Sequence, residues 1–487
     1  MRQVCEVAVL WPAVRSLTVA ALICAATFAQ DGKPAASYKE IQYPAPGQVR
    51  VPEPVRFQLP NGMKVLLVED HELPTISLSA MIRAGARWEP AAKAGLAAIT
   101  GTVMRTGGST TRNGDQLDRE LDRLAASVEI GVGADSASAS IFCLKEDIDK
   151  TLPILADLLQ HPAFPQDKIE LSKIEQRDGI ARRNDDPQSI AFREYNRMIY
   201  GKDSPYGRLM EYATVNAIAR QDLVAFHKQY FQPESVILGA WGDFSAPEMR
   251  AKIEQAFAGW ARGARPWPAA PAVDTAAQSR AGIHLINKDD VNQSWVAMGR
   301  LSGRMDDPDC VALTVMNGIL GDGFASRLFS QVRSEQALAY AVFSFWNADF
   351  EFPGAFGAFG GTKSETTVKI IGAIRHEIDR LAQGPVTDDE LTRAKDSILK
   401  GMAFDFDNTG KIVNRLMMYE YYRYPRDFLQ RYQEGVRKVT KADVERVAKI
   451  YLKSDQFAIL VLGKEKDFEA PLTSLGKVTR IDITIPK

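Results

Sequence analysis

"VNAIARQDLVAFHKQYFQPESVILGAWG" (215–242) and "VRKVTKADVERVAKIYLKSDQFAILVLG" (436–463) align without a gap at an offset of 221 residues. Asp222 pairs with Asp443, Tyr230 with Tyr451 and Gly242 with Gly463. Each copy reads as a capped helix, with Asp near its start and apolar residues at helical spacing, running into a short apolar strand. A match of this length marks a duplicated domain.

Working outward, the Pro-rich segment "RGARPWPAAPAVDTAAQSR" (262–280) separates two parts of similar size. Helical and strand patterns alternate in mixed order within each. In the first, "LPNGMKVLLVEDHELPTISLSAMIRAGARWEP" reads as two strands and a turn leading into a helix. Leu117, Leu121, Leu124 and Val128 mark another helix, "VEIGVGADSASASIFCL" a hairpin, and "IDKTLPILADLLQ" an amphipathic helix. In the second, "WNADFEFPGAFGAFGG" reads as strands and "TTVKIIGAIRHEIDRLAQG" as a helix with a Gly stop. The expected fold is α+β: two tandem homologous domains, each a largely antiparallel sheet flanked by helices. The boundaries expected are a signal peptide (1–29), an extended arm (30–54), an N-terminal domain (55–261), a linker (262–280), a C-terminal domain (281–470) and a tail (471–487).

The first thirty residues suggest export. Arg2 and Arg15 precede an apolar run from Leu17 to Phe28, and "TFA" before Gln30 fits a small-residue cleavage site. The run falls short of the roughly 20 apolar residues that span a bilayer, so a secretory leader is expected rather than a stable membrane anchor, with the mature chain periplasmic or secreted. Net charge is −1 and basic residues are scattered, which argues against nucleic acid or an anionic membrane as partner. Of four Cys, Cys5 and Cys24 fall in the leader; Cys143 and Cys310 lie far apart and read as buried free thiols.

"LPNGMKVLLVED" (59–70), "AGARWEP" (84–90), "AGLA" (94–97) and "TGG" (106–108) together resemble the opening of the pitrilysin/insulinase-type zinc peptidases. "LGDGFASRLFSQVRSEQALAYAV" (320–342) is similar to the family's C-terminal domain. The resemblance spans residues 55–465. It implies a helix after "GLA" that in catalytic members carries His-x-x-Glu-His, two imidazoles on one helix face with an intervening general base. Here the two His positions hold Ala98 and Thr102, and the Glu position holds Gly101. The third ligand, a Glu about eighty residues on, aligns with Asp178, or with Gly179 if the register slips by one. Ala has no lone pair, Gly no side chain, and a neutral Thr hydroxyl is a poor zinc ligand. The five His (71, 161, 227, 284, 376) include no pair at metal-ligand spacing, so no metal site of its own is expected.

A second element survives. The resemblance implies that the domain facing the zinc helix supplies an Arg and a Tyr seven residues apart, here Arg333 and Tyr340 in "RSEQALAY". The Arg would bind a substrate carbonyl and the Tyr hydroxyl would support a developing oxyanion. Ser326, Arg327 and Phe329 just ahead read as cap and packing for that helix. In "GAFGAFGGTKS", Thr362 stands where a phosphate loop needs Gly, so a strand with close backbone approach is expected. "TGGSTTRNG" (106–114) reads as a turn and N-cap.

The expected function is therefore the non-catalytic subunit of a periplasmic zinc endopeptidase. It would contribute Arg333 and Tyr340 to a homologous subunit that bears the zinc motif and holds the zinc, for hydrolysis of peptides. The alternative is a peptide-binding or scaffold protein of the same fold without a hydrolytic role.

Overall fold

A computed structural model describes residues 52–263, 267–274 and 281–487; the leader and most of the expected arm lie outside the described residues. The first half contains β1 (Val55–Gln58), β2 (Lys64–Glu69), β3 (Thr75–Ile82), β4 (Ser127–Val132), β5 (Ala137–Leu144) and β6 (Val236–Gly242). Its helices are α1 (Leu96–Thr106), α2 (Gly114–Leu124), α3 (Ile148–Gln160), α4 (Gln166–Arg182), α5 (Pro187–Tyr200), α6 (Tyr212–Asn216), α7 (Arg220–Tyr230) and α8 (Ala246–Phe257). The second half contains β7 (Gly282–Asn287), β8 (Gln293–Leu301), β9 (Ala341–Asn347), β10 (Ala355–Lys363), β11 (Ala458–Gly463) and β12 (Val478–Arg480). Its helices are α9 (Cys310–Leu320), α10 (Thr367–Gln383), α11 (Asp388–Gly401), α12 (Thr409–Tyr421), α13 (Phe428–Lys438) and α14 (Lys441–Tyr451).

The repeat seen in the sequence is a repeat of structure. Helices α7 and α14 begin and end at residues 221 apart, and each has an Asp three residues past its N-cap that accepts the cap's backbone N–H. The strands they feed, β6 and β11, occupy the same place in two sheets ordered β1-β2-β6-β3-β5-β4 and β12-β7-β11-β8-β10-β9. β6 runs parallel to β2 and antiparallel to β3; β11 runs parallel to β7 and antiparallel to β8. Thus β2 and β3, joined by a short turn, are not hydrogen-bonded partners: β6, which begins at Val236, lies between them. The sixth strand differs, β1 pairing antiparallel to β2 and β12 parallel to β7. Residues 471–487, read from the sequence as a tail, carry β12, and Ile483 offers its carbonyl to Asn184. Val128, grouped with the Leu117 helix in the sequence, belongs to β4, because α2 stops at Leu124 and Ala125 turns the chain through φ 47°.

In β3 the residues alternate: Ile76, Leu78, Ala80 and Ile82 enter the core, while Ser77 and Ser79 face away. β6 and β11 instead are apolar on both faces, as strands covered on two sides must be. The second cover comes from the other half. From the first half, α5 lays Ile190, Ala191 and Tyr195 on Ala297, Phe359, Leu460 and Leu462 of the second sheet. From the second half, α12 lays Val413, Met417 and Tyr421 on Leu66, Val68 and Ile237 of the first. Gly239 in β6 permits this approach, since a Cβ there would strike the side chains of Val413 and Met417.

A polar knot joins the halves beside these helices. Arg83, just past β3 and 3% exposed, donates in fork geometry to both carboxylate oxygens of Glu351 at 2.7 and 2.6 Å. It also donates to the Pro268 carbonyl, and its guanidinium lies over Trp88 (4.9 Å) and Tyr421 (5.2 Å). The described part of the segment read as a linker is held there too, with Trp88 Nε1 donating to Ala269 O and Tyr206 Oη to Pro271 O. Among the described residues, no helix is long and apolar enough to cross a membrane.

Candidate functional site

Helix α1 is built where the family resemblance places a zinc helix. Its N-terminus is capped from outside the helix: the Glu89 carboxylate, 6% exposed, accepts the N–H of Gly95 (3.0 Å) and Ala97 (2.8 Å). Burial raises the Glu89 pKa, against those backbone bonds and the nearby Arg208. Leu96, Ala97, Ile99, Val103 and Met104 enter the core. Ala98, Thr102 and Arg105 form the half-exposed row at helical spacing.

That row offers a methyl group, a hydroxyl and a guanidinium, the last engaged with Asp118 (2.8 Å) and Glu129 (3.4 Å). The base position is altered more deeply. A Cβ on Gly101 would sit 2.6 Å from the backbone nitrogen of Val132, 2.9 Å from its Cγ2 and 3.0 Å from the Gly131 carbonyl carbon. Helix and edge strand β4 have closed to a distance that only glycine tolerates. Asp178 and Gly179 lie exposed on α4, and a Cβ at Gly179 would meet no atom within 4 Å. A methyl, a hydroxyl and one exposed carboxylate do not make a zinc-binding set. Among the described residues no group of three or more His, Cys, Asp or Glu is placed to hold a metal ion.

Arg333 and Tyr340 are brought together. Ser326 Oγ accepts the Phe329 N–H at 3.4 Å and donates to Gly323 O, starting a helical segment that widens into a π-helix at Phe329–Glu335. This wide turn, a form frequent at functional sites, carries Arg333. Its guanidinium lies 4.5 Å from the Phe329 ring centroid and 5.7 Å from that of Tyr340. It makes no ion pair among the described residues. Tyr340 is 85% exposed and Phe324, edge-on to Phe329 at 5.0 Å, is 81% exposed. The base of the segment is fixed by buried Arg327, which forks onto Glu390 (2.7 and 3.1 Å) and reaches Pro385 O. Burial pushes the Glu390 pKa up, but Arg327 and the Thr387 N–H outweigh it and bring it down to about 2. The Arg333 cluster shares no hydrogen bond, ion pair or ring contact with the Ala98–Thr102 row among the described residues.

Sequence reasoning missed Phe324, Glu89 and Glu390. Phe324 stands two residues before the "SR" pair, but its exposure is not a property of sequence. Glu89 lies in the quoted "AGARWEP", and its helix-capping role depends on a fold-back that periodicity does not report. The Gly-rich runs are structural, as expected. In β10, Gly357 and Gly361 admit Met298 O and the Trp295 ring respectively. In the 106–114 turn, Asn113 caps α2, Asp157 accepts from the Ser109 and Thr111 hydroxyls, and the N–H groups of Ser109, Thr110, Thr111 and Arg112 donate within the protein.

Two family models match the chain. The insulinase (peptidase family M16) model covers residues 64–210 and the peptidase M16 inactive domain model covers 217–398. Relatives include proteins named as uncharacterized zinc proteases. The one from Streptomyces coelicolor is 23% identical over 420 residues, covering 85% of this chain and 90% of its own. The one from Mycobacterium bovis is 24% identical over 414 residues, covering 84% and 93%. A solved structure described as a peptidase M16 inactive domain from Pseudomonas fluorescens superposes with a TM-score of 0.73 at 24% identity, covering 84% of this chain and 98% of that one. A protease from Helicobacter pylori does so at 0.75 and 20%, covering 84% and 99%. With both halves matched in order and the sheets duplicated, the chain belongs to the insulinase family of peptidases, family M16, as a member in which the zinc motif is lost.

Proposed function

We propose that this chain is the non-catalytic subunit of a zinc endopeptidase. It pairs with a homologue whose helix retains the inverted zinc motif, and peptide is cleaved between the two. One contrast carries the reading. The base position on α1 is sealed by contact with β4, whereas Arg333 and Tyr340 stand exposed or half-exposed with the guanidinium free of any ion pair among the described residues. An unpaired, ring-backed guanidinium is suited to donate to a peptide carbonyl, and the Tyr340 hydroxyl to an oxyanion. Both act strongly only when a second subunit excludes water from them. The leader pattern in residues 1–29 supports export, hence a periplasmic location for the complex.

The test mixes the mature chain with a zinc-motif homologue from the same genome and assays a mixed peptide library. Turnover is expected only in the mixture. Arg333→Ala is expected to lower it by about 10–10²-fold, the loss of one charge-assisted hydrogen bond to the substrate carbonyl at about 1.5–3 kcal/mol, with zinc content unchanged. Full activity in Arg333→Ala would remove the role given to the pair. A silent mixture with a competent partner would leave a peptide-binding or scaffold protein.

A further inference from the structure

The exchanged helix α5 covers only part of the second sheet. Between it, β9 and the Asn347–Ala355 turn lies a cavity of about 390 Å³. Tyr195 of α5, Phe343 and Phe345 of β9, and Phe352 form its aromatic walls. Tyr195 and Phe345 meet edge to face at 5.9 Å. Asp349 lines the same cavity. Its carboxylate accepts the Glu351 N–H at 3.1 Å and makes no ion pair among the described residues, although it is partly buried. Arg87 is the cation that acts on it most, and Asp349 the anion that acts most on Arg87, but the direct ion pair of that guanidinium is with Asp135, and it lies over Phe352 at 4.1 Å. Burial raises the Asp349 pKa, with Arg87 too weak to reverse the shift.

A carboxylate withdrawn from water with no cation in direct contact is costly, and aromatic faces attract cations. The two together complement a guanidinium or ammonium group better than a neutral side chain. We propose that this cavity holds the Lys or Arg side chain of a bound peptide, with Asp349 as its counter-ion and Tyr195, Phe343 and Phe345 as its aromatic wall. The peptide as source rests on the function proposed above. It fits the spacing: β9 starts directly after Tyr340, and a rise of about 3.3 Å per residue puts Phe345 roughly 16 Å along the strand, the reach of about five extended residues.

The first arm of the test needs neither partner nor peptide. Nα-acetyl-arginine amide and its neutral isostere Nα-acetyl-citrulline amide are titrated into the full chain by equilibrium dialysis. The arginine derivative is expected to bind about tenfold tighter or more. Asp349→Asn, which keeps the acceptor for Glu351, should erase that preference, Phe345→Leu should reduce it, and Arg333→Ala should leave it intact. Equal binding, no binding, or a preference that survives Asp349→Asn overturns the site. The second arm adds the zinc-motif homologue in metal-free form, so that peptide is bound and not cut, and compares decapeptides carrying Arg or citrulline. Discrimination that Asp349→Asn abolishes supports the peptide side chain as occupant; discrimination confined to the small probes overturns that assignment. Arg333→Ala should weaken both decapeptides alike. If it weakens neither, the function proposed for Arg333 fails while the cavity stands.

Discussion

Two glycine-to-alanine substitutions should change stability in opposite directions. Alanine in a helix interior is favoured over glycine by about 1 kcal/mol. Gly179, exposed on α4 with nothing within 4 Å of a new Cβ, should gain that amount. At Gly101 the new Cβ meets the Val132 backbone nitrogen at 2.6 Å and the Gly131 carbonyl carbon at 3.0 Å. Both atoms belong to a strand paired to β5, so they cannot yield as a flexible side chain would. Overpacking of this kind costs about 1–3 kcal/mol, here towards the upper end. Net of the propensity gain, Gly101→Ala should lose about 1–2 kcal/mol. The two variants would then differ by about 2–3 kcal/mol in equilibrium urea unfolding at unchanged slope. Restoring Ala98→His, Gly101→Glu and Thr102→His together should cost more stability still, without taking up stoichiometric zinc. If Gly101→Ala raises the urea midpoint as Gly179→Ala does, β4 does not hold α1 closed and the steric account of the lost site is wrong.

Removing Arg83 by Arg83→Ala should cost about 3 kcal/mol, the low end for a buried pair, because Glu351 keeps some access to water. Urea unfolding followed by far- and near-UV signals should show the two halves melting less cooperatively; an unchanged midpoint would deny the knot its role. Glu390 has a folded pKa depressed to about 2, below its unfolded value. Its contribution is therefore complete above about pH 4.5 and is lost as pH falls through about 2. Glu390→Gln should flatten the acid limb of the stability curve in that window, and an unaltered limb would contradict the pairing with Arg327. Both Cys143 and Cys310 are buried and free, with thiol pKa values raised by burial, that of Cys310 to about 12. In a chain without residues 1–29, which carry Cys5 and Cys24, neither should react with Ellman's reagent at pH 8 until urea unfolds it; fast labelling of that native protein would refute their burial.

Much of this molecule is local information. The gapless repeat at 215–242 and 436–463 announces the duplication because helix caps and apolar spacing are properties of consecutive residues. The loss of ligands at Ala98 and Thr102, and the seven-residue interval from Arg333 to Tyr340, can likewise be read from residue identity once the resemblance supplies the register. What periodicity reports is that a face is apolar, never what covers it. That limit explains the rest. The exchange of α5 and α12 between sheets, the insertion of β6 and β11 between strands adjacent in sequence, and the joining of Arg83 to Glu351 across 268 residues depend on long-range packing. So do two features on which the proposals turn. Gly101 is an ordinary glycine until β4 closes on it, and Asp349 an ordinary loop acid until aromatic rings from both halves surround it. The sequence by itself determined the duplicated α+β chain, the missing zinc ligands and the spacing of the Arg–Tyr pair. Only the tertiary structure decided which surfaces are sealed and which stand open, because burial and desolvation belong to the assembled chain and not to any segment of it.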